Sequence, residues 1–362
     1  MHNNQKDLDA FRRCLSYDAQ QRLLGLASEL GESVMQGIAC ALAAGESVKG
    51  TTSPNPPVGA AVLSQEGAII GCGGTSPVGG AHAEINALAH AQGATHNATA
   101  IVTLEPCNHT GKTPPCSHAL VAAGIKRVIY LSADPNPVAQ GGAEYLRNHG
   151  VEVIFLDVDV VTLLPWLCSL KTGRASITLK WARTLDGFLA AVDGTSKWIT
   201  GAVAREYVHE DRSHRDAIVI GTGTALVDNP RLTARRKNGS EYAHQPMRVV
   251  VGRRALPAHY HLVRDSDRVL FFDDYATALE SLWELGMRDI LVEGGAQLIS
   301  SVLSTGEYDF IQDYCAPILL GAGKSFINQP LAQTMADCIR LEKIQTVLLG
   351  QDVMSLLRHE RL

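Results

Sequence analysis

Long apolar runs are missing from this chain of 362 residues, and none approaches the roughly 20 residues needed to span a bilayer. Its opening stretch, MHNNQKDLDAFRRCLSYDAQQ, has no apolar core of the kind that marks a secretory signal. Together these absences point to a cytoplasmic protein without a membrane partner. Basic charge is not in excess either, and the formal net charge is −5. A nucleic-acid-binding surface needs a basic face, usually with aromatic residues interleaved, and the sequence offers neither. Neither glycine-bearing strand–helix junction fits G-x-G-x-x-G, which excludes the standard dinucleotide fingerprint. Disulfide frameworks belong to short secreted chains. Here Cys14, Cys40, Cys72, Cys168, Cys315 and Cys338 are scattered through mostly apolar surroundings and are expected as buried free thiols.

What is present is the composition of a globular, core-forming protein, with 46% hydrophobic and 19% charged residues. The length suits two domains of ordinary size. The densest chemistry lies between residues 81 and 116. His82-Ala83-Glu84 is followed by Pro106-Cys107 and Pro115-Cys116, close to the H-x-E…P-C-x-x-C pattern of zinc nucleobase deaminases, but with a longer cysteine spacing. One imidazole and two thiolates supply three zinc ligands and leave a fourth position for water. That arrangement is catalytic, because a metal so placed loosens the water proton near neutral pH. Glu84 is the candidate proton shuttle, from water to a ring nitrogen and then to departing ammonia. His109 and His118 are competing ligand candidates. A purely structural zinc site would use four ligands and have no need of a free carboxylate.

Strands alternating with helices make the first half an α/β layered fold. Helical spacing covers 33–44, 81–91, 116–123 and 141–148. Short apolar runs at 58–63, 68–72, 99–104, 127–131 and 151–156 read as strands. Residues 1–21 are expected as a flexible lead-in to the first helix. The join falls near 157–173, and the chain starts again at Ser176. Strands at 177–190, 217–220, 247–251, 268–272, 289–292 and 308–314 alternate with helices at 201–213, 277–285 and 296–303. Two junctions, Ile220-Gly221-Thr222-Gly223-Thr224 and Val292-Glu293-Gly294-Gly295-Ala296, aim backbone N–H groups at strand ends, where phosphates bind. The expected division is an N-terminal extension (1–30), a first domain (31–160), a linker (161–175) and a second domain (176–362).

The stretches SPNPPVG (53–59), GGAHAEINAL (79–88), VTLEPCNHTGKTPPC (102–116) and DPNPVAQGG (134–142) resemble the deaminase half of the bifunctional riboflavin-biosynthesis deaminase–reductases. The longer cysteine spacing is that family's own form of the motif, and Lys112 stands where the family usually has Arg. LKWARTLDGFLAAVDGTSKWITG, HEDRSHRDAIVIGTGTALVDNPRLTAR and ILVEGGAQL resemble the reductase half. The resemblance implies a zinc cytidine-deaminase-like α/β/α layer followed by a dihydrofolate-reductase-like α/β domain, with Zn2+ and NADPH as cofactors. It implies that 2,5-diamino-6-(5-phosphoribosylamino)pyrimidin-4-one loses its ring amino group to water. NADPH would then reduce the ribosyl group to a ribityl chain, giving 5-amino-6-(5-phosphoribitylamino)uracil.

By matching positions, Asn55 and Lys180 reach the pyrimidine. Ala182, Trp198, Thr224, Asp228 and the run Gly295, Ala296, Gln297, Leu298, Ile299, Ser300 and Ser301 fall where the family holds NADPH. Ser196, Arg212, Leu232, Arg235 and Glu293 fall where it holds the ribose phosphate. Arg212 and Arg235 would pair with the 5-phosphate, bidentate where geometry allows. Arg253-Arg254 suits the 2′-phosphate of NADPH, with Gly252 where the family often has an acidic or small polar residue. No side chain stands out as the proton donor of the reduction. A homodimer through the reductase domain is implied. Three readings compete: a reductase with a non-catalytic zinc domain, a nucleic-acid deaminase and a zinc-stabilised binding module. The intact His82, Glu84, Cys107 and Cys116 set argues against the first and third, and the charge against the second.

Overall fold

Five short strands organise the first half of the chain. They are β1 (Gly59–Leu63), β2 (Ile69–Gly74), β3 (Thr99–Leu104), β4 (Arg127–Ser132) and β5 (Glu152–Phe155), side by side in the order β2-β1-β3-β4-β5. β1 runs antiparallel to β2 and β3, while β3, β4 and β5 are parallel. This brings the start of β1 and the ends of β2, β3 and β4 to one end of the sheet. The computed structural model describes residues 3–109, 114–137 and 140–360, the side chains of 3–8 apart. Lys112 lies outside the described residues. The chain divides between Lys171 and Thr172 into two compact units.

In the first unit, α1 (Asn3–Cys14), α2 (Tyr17–Leu30) and α3 (Glu32–Ser47) precede the sheet. α4 (Ala83–His90), α5 (Cys116–Ala122) and α6 (Gly142–Asn148) connect its later strands. Glycines let two of these helices touch the sheet backbone. A Cβ on Gly59 would overlap the Ala41 carbonyl of α3, and one on Gly71 would overlap the Ala87 carbonyl of α4. The register sets Gly59 opposite Gly74 and Val62 opposite Gly71, so the two glycines face opposite ways. α3 therefore covers one face and α4 the other, as an α/β/α layering requires.

The expected flexible lead-in is not found. Residues 3–30 are mostly helical, and Ala10, Cys14, Leu15, Ala19 and Leu23 are buried. Ser16 caps α2 by accepting the Ala19 N–H. Leu15 bridges to Val160, tying this segment to the stretch that leaves β5. Most of the expected linker, 161–171, is also built into the first unit, and 172–175 open the second. α7 (Leu164–Thr172) follows there, and Leu163 and Trp166 belong to the same core as Leu42, Ile101 and Ile129. The free-thiol expectation fails for one pair, since Cys40 and Cys72 form a disulfide; α3 and β2 bring them together from distant points of the sequence. Cys315 and Cys338 are only half-buried.

The second unit is built on an eight-stranded sheet and a small ribbon. Its strands are β6 (Ser176–Thr184), β7 (Phe188–Ala190), β8 (Ala217–Gly221), β9 (Met247–Val251), β10 (Val269–Phe272), β11 (Asp289–Val292), β12 (Phe310–Ala316), β13 (Lys324–Ser325), β14 (Leu341–Leu349) and β15 (Asp352–His359). The large sheet runs β10-β9-β8-β11-β6-β12-β15-β14, and β7 pairs with β13. From β10 to β12 every neighbour is parallel; β15 and β14 are antiparallel additions. Its helices are α8 (Ala202–Ser213), α9 (Thr222–Asp228), α10 (His261–Arg264), α11 (Tyr275–Glu284) and α12 (Ala296–Thr305). Parallel strands gather their carboxyl ends along one edge, where ligands of open α/β sheets bind. The ends of β8, β9 and β11 lead directly into Gly221–Thr224, Gly252–Arg254 and Glu293–Ala296. The β14–β15 hairpin was not expected from the sequence.

Candidate active sites

The first site lies at the end of the sheet where the functional loops converge. His82 is the N-cap residue of α4, and Cys116 is the first residue of α5. Cys107 follows β3 by three residues. His82 Nδ1 lies 3.6 Å from the Cys107 sulfur and 3.3 Å from the Cys116 sulfur. The three ligand atoms all fall within 4.8 Å of one another, and no fourth ligand-type side chain joins that group among the described residues. Hydrogen bonds from Cys116 and His82 hold the Cys107 thiol well below its ordinary range, toward the thiolate that a metal cation requires.

Glu84 sits in the first turn of α4 and is buried. Burial, and then the charge of Cys107, push its carboxyl up to about 7. His109 and His118 do not enter the ligand group. His118 is exposed and stacks on Tyr145 at 4.0 Å, whereas His109 keeps a buried Nδ1 with no hydrogen-bond partner among the described residues. Asn55 lies in the loop before β1, at the same end of the sheet. That loop is held by a Thr52 hydroxyl bond to the Asn55 carbonyl at 3.0 Å, and the Trp166 indole donates to Pro54 O at 3.0 Å. One residue not singled out in the sequence also belongs here. Asp134, at the end of β4, is buried, and burial followed by the charges of Glu105 and Cys107 pushes it up to about 6. Its Asp-Pro-Asn-Pro run was visible as a motif. Nothing in the sequence marked the orphaned His109 nitrogen.

The second site lies at the parallel strand ends of the other unit. Arg212, in the last turn of α8, closes both arms of its fork on Glu293 at 2.7 and 2.8 Å. Lys180 on β6 approaches the same carboxylate at 3.5 Å. Burial pushes Glu293 up, but Arg212 and Lys180 more than reverse this and leave it at about 2. The expected bidentate grip of Arg212 on a phosphate is thus corrected, since that fork is committed to Glu293. Arg235 is half-buried, and burial together with Arg212 and Arg231 holds it below its ordinary value. Burial, Arg212 and Arg235 push His209 down to about 4. Arg231 and Arg235, beside the neutral His209 imidazole, leave positive charge suited to an anion.

The two glycine junctions adjoin each other. The Gly295 N–H donates to the Thr224 hydroxyl at 3.0 Å. Arg254 Nη2 lies 2.9 Å from the place a Cβ on Gly223 would take, so the Arg254 guanidinium reaches the first junction. Of the remaining expected positions, Ser196, Asp228 and Ser301 are exposed. Trp198 is 67% exposed, with the Arg205 guanidinium 4.2 Å over its ring. Ala182 lies on β6 opposite Tyr314 of β12. Gly295, Ala296, Gln297 and Leu298 form the open start of α12. Ile299 turns into the core, and Ser300 is buried with its hydroxyl accepting the Asn328 N–H. Leu232 is also a core residue, held at φ 55°, which leaves its backbone as the part able to meet a ligand.

Residues 33–132 match the family described as the cytidine and deoxycytidylate deaminase zinc-binding region, and residues 175–355 match the RibD C-terminal domain. The chain is 54% identical over 308 residues to riboflavin biosynthesis protein RibD of Corynebacterium ammoniagenes, covering 83% of this chain and 91% of that relative. It is 40% identical over 328 residues to the protein of the same description from Mycobacterium tuberculosis, covering 89% and 96%. Among solved structures, Acinetobacter baumannii RibD superposes with a TM-score of 0.77 at 33% identity, covering 89% of this chain and 98% of that one. A Thermotoga maritima diaminohydroxyphosphoribosylaminopyrimidine deaminase/5-amino-6-(5-phosphoribosylamino)uracil reductase superposes with a TM-score of 0.76 at 32% identity, covering 88% and 96%.

The Glu293 ion pairs carry a pH signature. Its folded value of about 2 lies below the ordinary 4.5, so the stabilisation is complete above pH 4.5 and is lost as pH falls toward 2. Urea unfolding of the second unit should weaken over that window in the wild type and less steeply in Glu293→Gln. Equal slopes in the two proteins would exclude this carboxylate as the source.

Proposed function

The chain belongs to the RibD family of bifunctional riboflavin-biosynthesis enzymes, and from that membership we propose how its own residues divide the two reactions. It is a zinc-dependent pyrimidine deaminase and an NADPH-dependent reductase. We assign the deaminase to residues 31–160 and the reductase to 176–362; residues 3–30 and 161–171 are built onto the deaminase unit, and 172–175 open the reductase unit. The observation that carries the first assignment is the convergence of His82, Cys107 and Cys116 within 4.8 Å, with Glu84 buried on the same helix end. One nitrogen and two soft sulfur donors with an open fourth position fit catalytic zinc. No helix of the described residues is long and apolar enough to cross a membrane, and the substrate is a small molecule.

His82, Cys107 and Cys116 would hold zinc, which would supply the Lewis acidity that makes water nucleophilic near neutral pH. Glu84 takes one proton from that water, passes it to the ring nitrogen of 2,5-diamino-6-(5-phosphoribosylamino)pyrimidin-4-one and then serves the departing ammonia. A carboxyl near 7 suits both directions of transfer. Asn55 orients the pyrimidine from its pinned loop.

In the reductase, NADPH supplies the hydride for the ribose carbon. The Gly221–Thr224 and Gly295–Leu298 backbones would hold its phosphates, Arg253 and Arg254 its 2′-phosphate, and Ala182, Trp198 and Asp228 would complete its site. Arg235, with Arg231 and His209 beside it, takes the substrate 5-phosphate. Lys180, Ser196, Leu232 and the Arg212–Glu293 pair position the ribose and pyrimidine. A reductase with a silent zinc domain is the competing reading, and the buried Glu84 beside the ligand set disfavours it.

Ammonia release and NADPH oxidation, followed together in zinc-loaded protein with the diaminopyrimidine substrate, should appear in that order. Glu84→Ala should keep its zinc by metal analysis and lose at least about 100-fold in ammonia release, the usual contribution of a general acid–base group. Normal deamination by that variant would sink the mechanism. Arg254→Ala should raise KM for NADPH by about tenfold and leave KM for NADH unchanged, as loss of one charged phosphate contact does. Equal effects on both would remove Arg254 from 2′-phosphate selection. Exposed Leu185 and Leu319, on segments joined by the Leu185 N–H to Ile318 O bond, support a homodimer through the reductase. Light scattering should return twice the chain mass; the single-chain mass would reject it.

A further inference from the structure

Cys40 and Cys72 stand 32 residues apart in sequence and are joined by a disulfide. Both are half-buried, so a small thiol can reach them. Cys40 lies on α3. Cys72 is on edge strand β2, opposite Ala61 and on the face that meets α3. Its neighbours Gly71 and Gly73 face the other way, against α4. A Cβ on Gly73 would come 2.6 Å from the Asn86 Cβ and 2.7 Å from the Ala87 nitrogen. The backbone of the same strand also holds α4. His90 Nδ1 lies 3.1 Å from Cys72 O, and the Asn86 amide donates to Gly74 O at 2.7 Å. α4 begins at His82 and carries Glu84. The bond therefore fastens the strand on which the catalytic helix rests. The segment it closes, residues 40–72, contains the Asn55 loop.

We propose that Cys40–Cys72 is a reversible redox switch on the deaminase site, a reading that rests on the deaminase assignment above. Closed, the bond fixes β2 and the Asn55 loop against α3, and the site is assembled. Open, both are released, the seat of α4 loosens, and deamination slows while reduction does not. The oxidant is a low-molecular-weight disulfide such as oxidised glutathione. One cysteine thiolate attacks it, forming a mixed disulfide and releasing one small thiol. The second thiolate displaces the other small thiol and closes the protein bond. Two electrons pass from the cysteine sulfurs to the small disulfide, and the two thiol protons end on the released thiols.

The test equilibrates zinc-loaded full-length protein in glutathione buffers of graded redox ratio. Each sample is alkylated, digested and searched by mass for a peptide linking Cys40 to Cys72, with ammonia release and NADPH oxidation read in parallel. The linked fraction should rise and fall reversibly, ammonia release should follow it by at least about twofold, and NADPH oxidation should stay flat. Cys40→Ser/Cys72→Ser should sit at the reduced rate whatever the buffer. No linked peptide at any ratio overturns the switch regardless of the activities, even if the double variant fails to fold. A linked fraction that moves without changing ammonia release overturns its control of the site. A double variant that responds as the wild type does places the response on Cys107 and Cys116 and also overturns it. A reversible link with no deamination at any ratio overturns the deaminase assignment and with it the control, while leaving the bond itself in place.

Discussion

The deaminase site depends on how closely two helices can lie on one hairpin. β1 and β2 carry glycine where α3 and α4 cross them, so the helix backbones rest on the strand backbones. A single methyl group at Gly71 or Gly73 would lift α4, and His82 and Glu84 would move with it. Metal–ligand distances tolerate only about 0.2 Å. The spacing of the sheet and helix layers is therefore set by residues that touch neither metal nor substrate. The same crowding explains why the loop before β1 needs outside support. With glycine and proline around it, that loop buries little of its own, and the Trp166 indole holds it from a helix far along the chain.

In the second unit the governing constraint is electrostatic. Glu293 leaves β11 directly between Lys180 and Arg212, and the three largely buried charges hold one another. Taking such a group out of water costs several kcal/mol per ion, so each member fixes the place of the others. Replacing one leaves an uncompensated charge. A second network does similar work deeper in the sheet, where Arg215 bridges Asp211 and Asp289 beneath α8. α8 thus delivers Arg212 to the site from a helix pinned one turn further on. Around Arg235 the opposing charges of Arg212 and Arg231 outweigh the support of Glu241, and that imbalance suits an anion-binding surface.

Much of this was legible in the sequence, and the failures have physical reasons. The strands of the first sheet could be read because each is a short apolar run bounded by glycine, proline or a polar turn. The ligand set could be read because all three ligands sit at element boundaries. The N-terminal helices were hidden because their buried stripe is thin: Ala10, Cys14, Leu15, Ala19 and Leu23 amid charged and amide residues. The β14–β15 hairpin was hidden because Leu341 to Leu349 mixes charged and apolar residues as a half-exposed strand does, and its two-residue turn, Gly350-Gln351, lacks the stronger Asn-Gly signal. The disulfide and the Arg212–Glu293 pair were illegible for a stronger reason. Both join residues far apart in sequence, 81 apart for the ion pair, and only the folded layers bring them together.

The two glutamates at the heart of the sites show why residue type alone could not assign their roles. Both are sheltered from water, both stand where a strand or loop meets a helix, and burial alone pushes both upward. Glu84 has a sulfur carrying negative charge beside it, which adds to burial and leaves it near 7. Glu293 has two cations beside it, which overcome burial and leave it near 2. A group near 7 exchanges a proton at small cost at neutral pH, whereas one near 2 holds its charge through any physiological change. Glu84 is therefore fitted to move protons and Glu293 to fix cations in place. It follows that the proton needed when the ribose ring opens does not come from Glu293. It must come from a group whose charge the site leaves free to change, or from water.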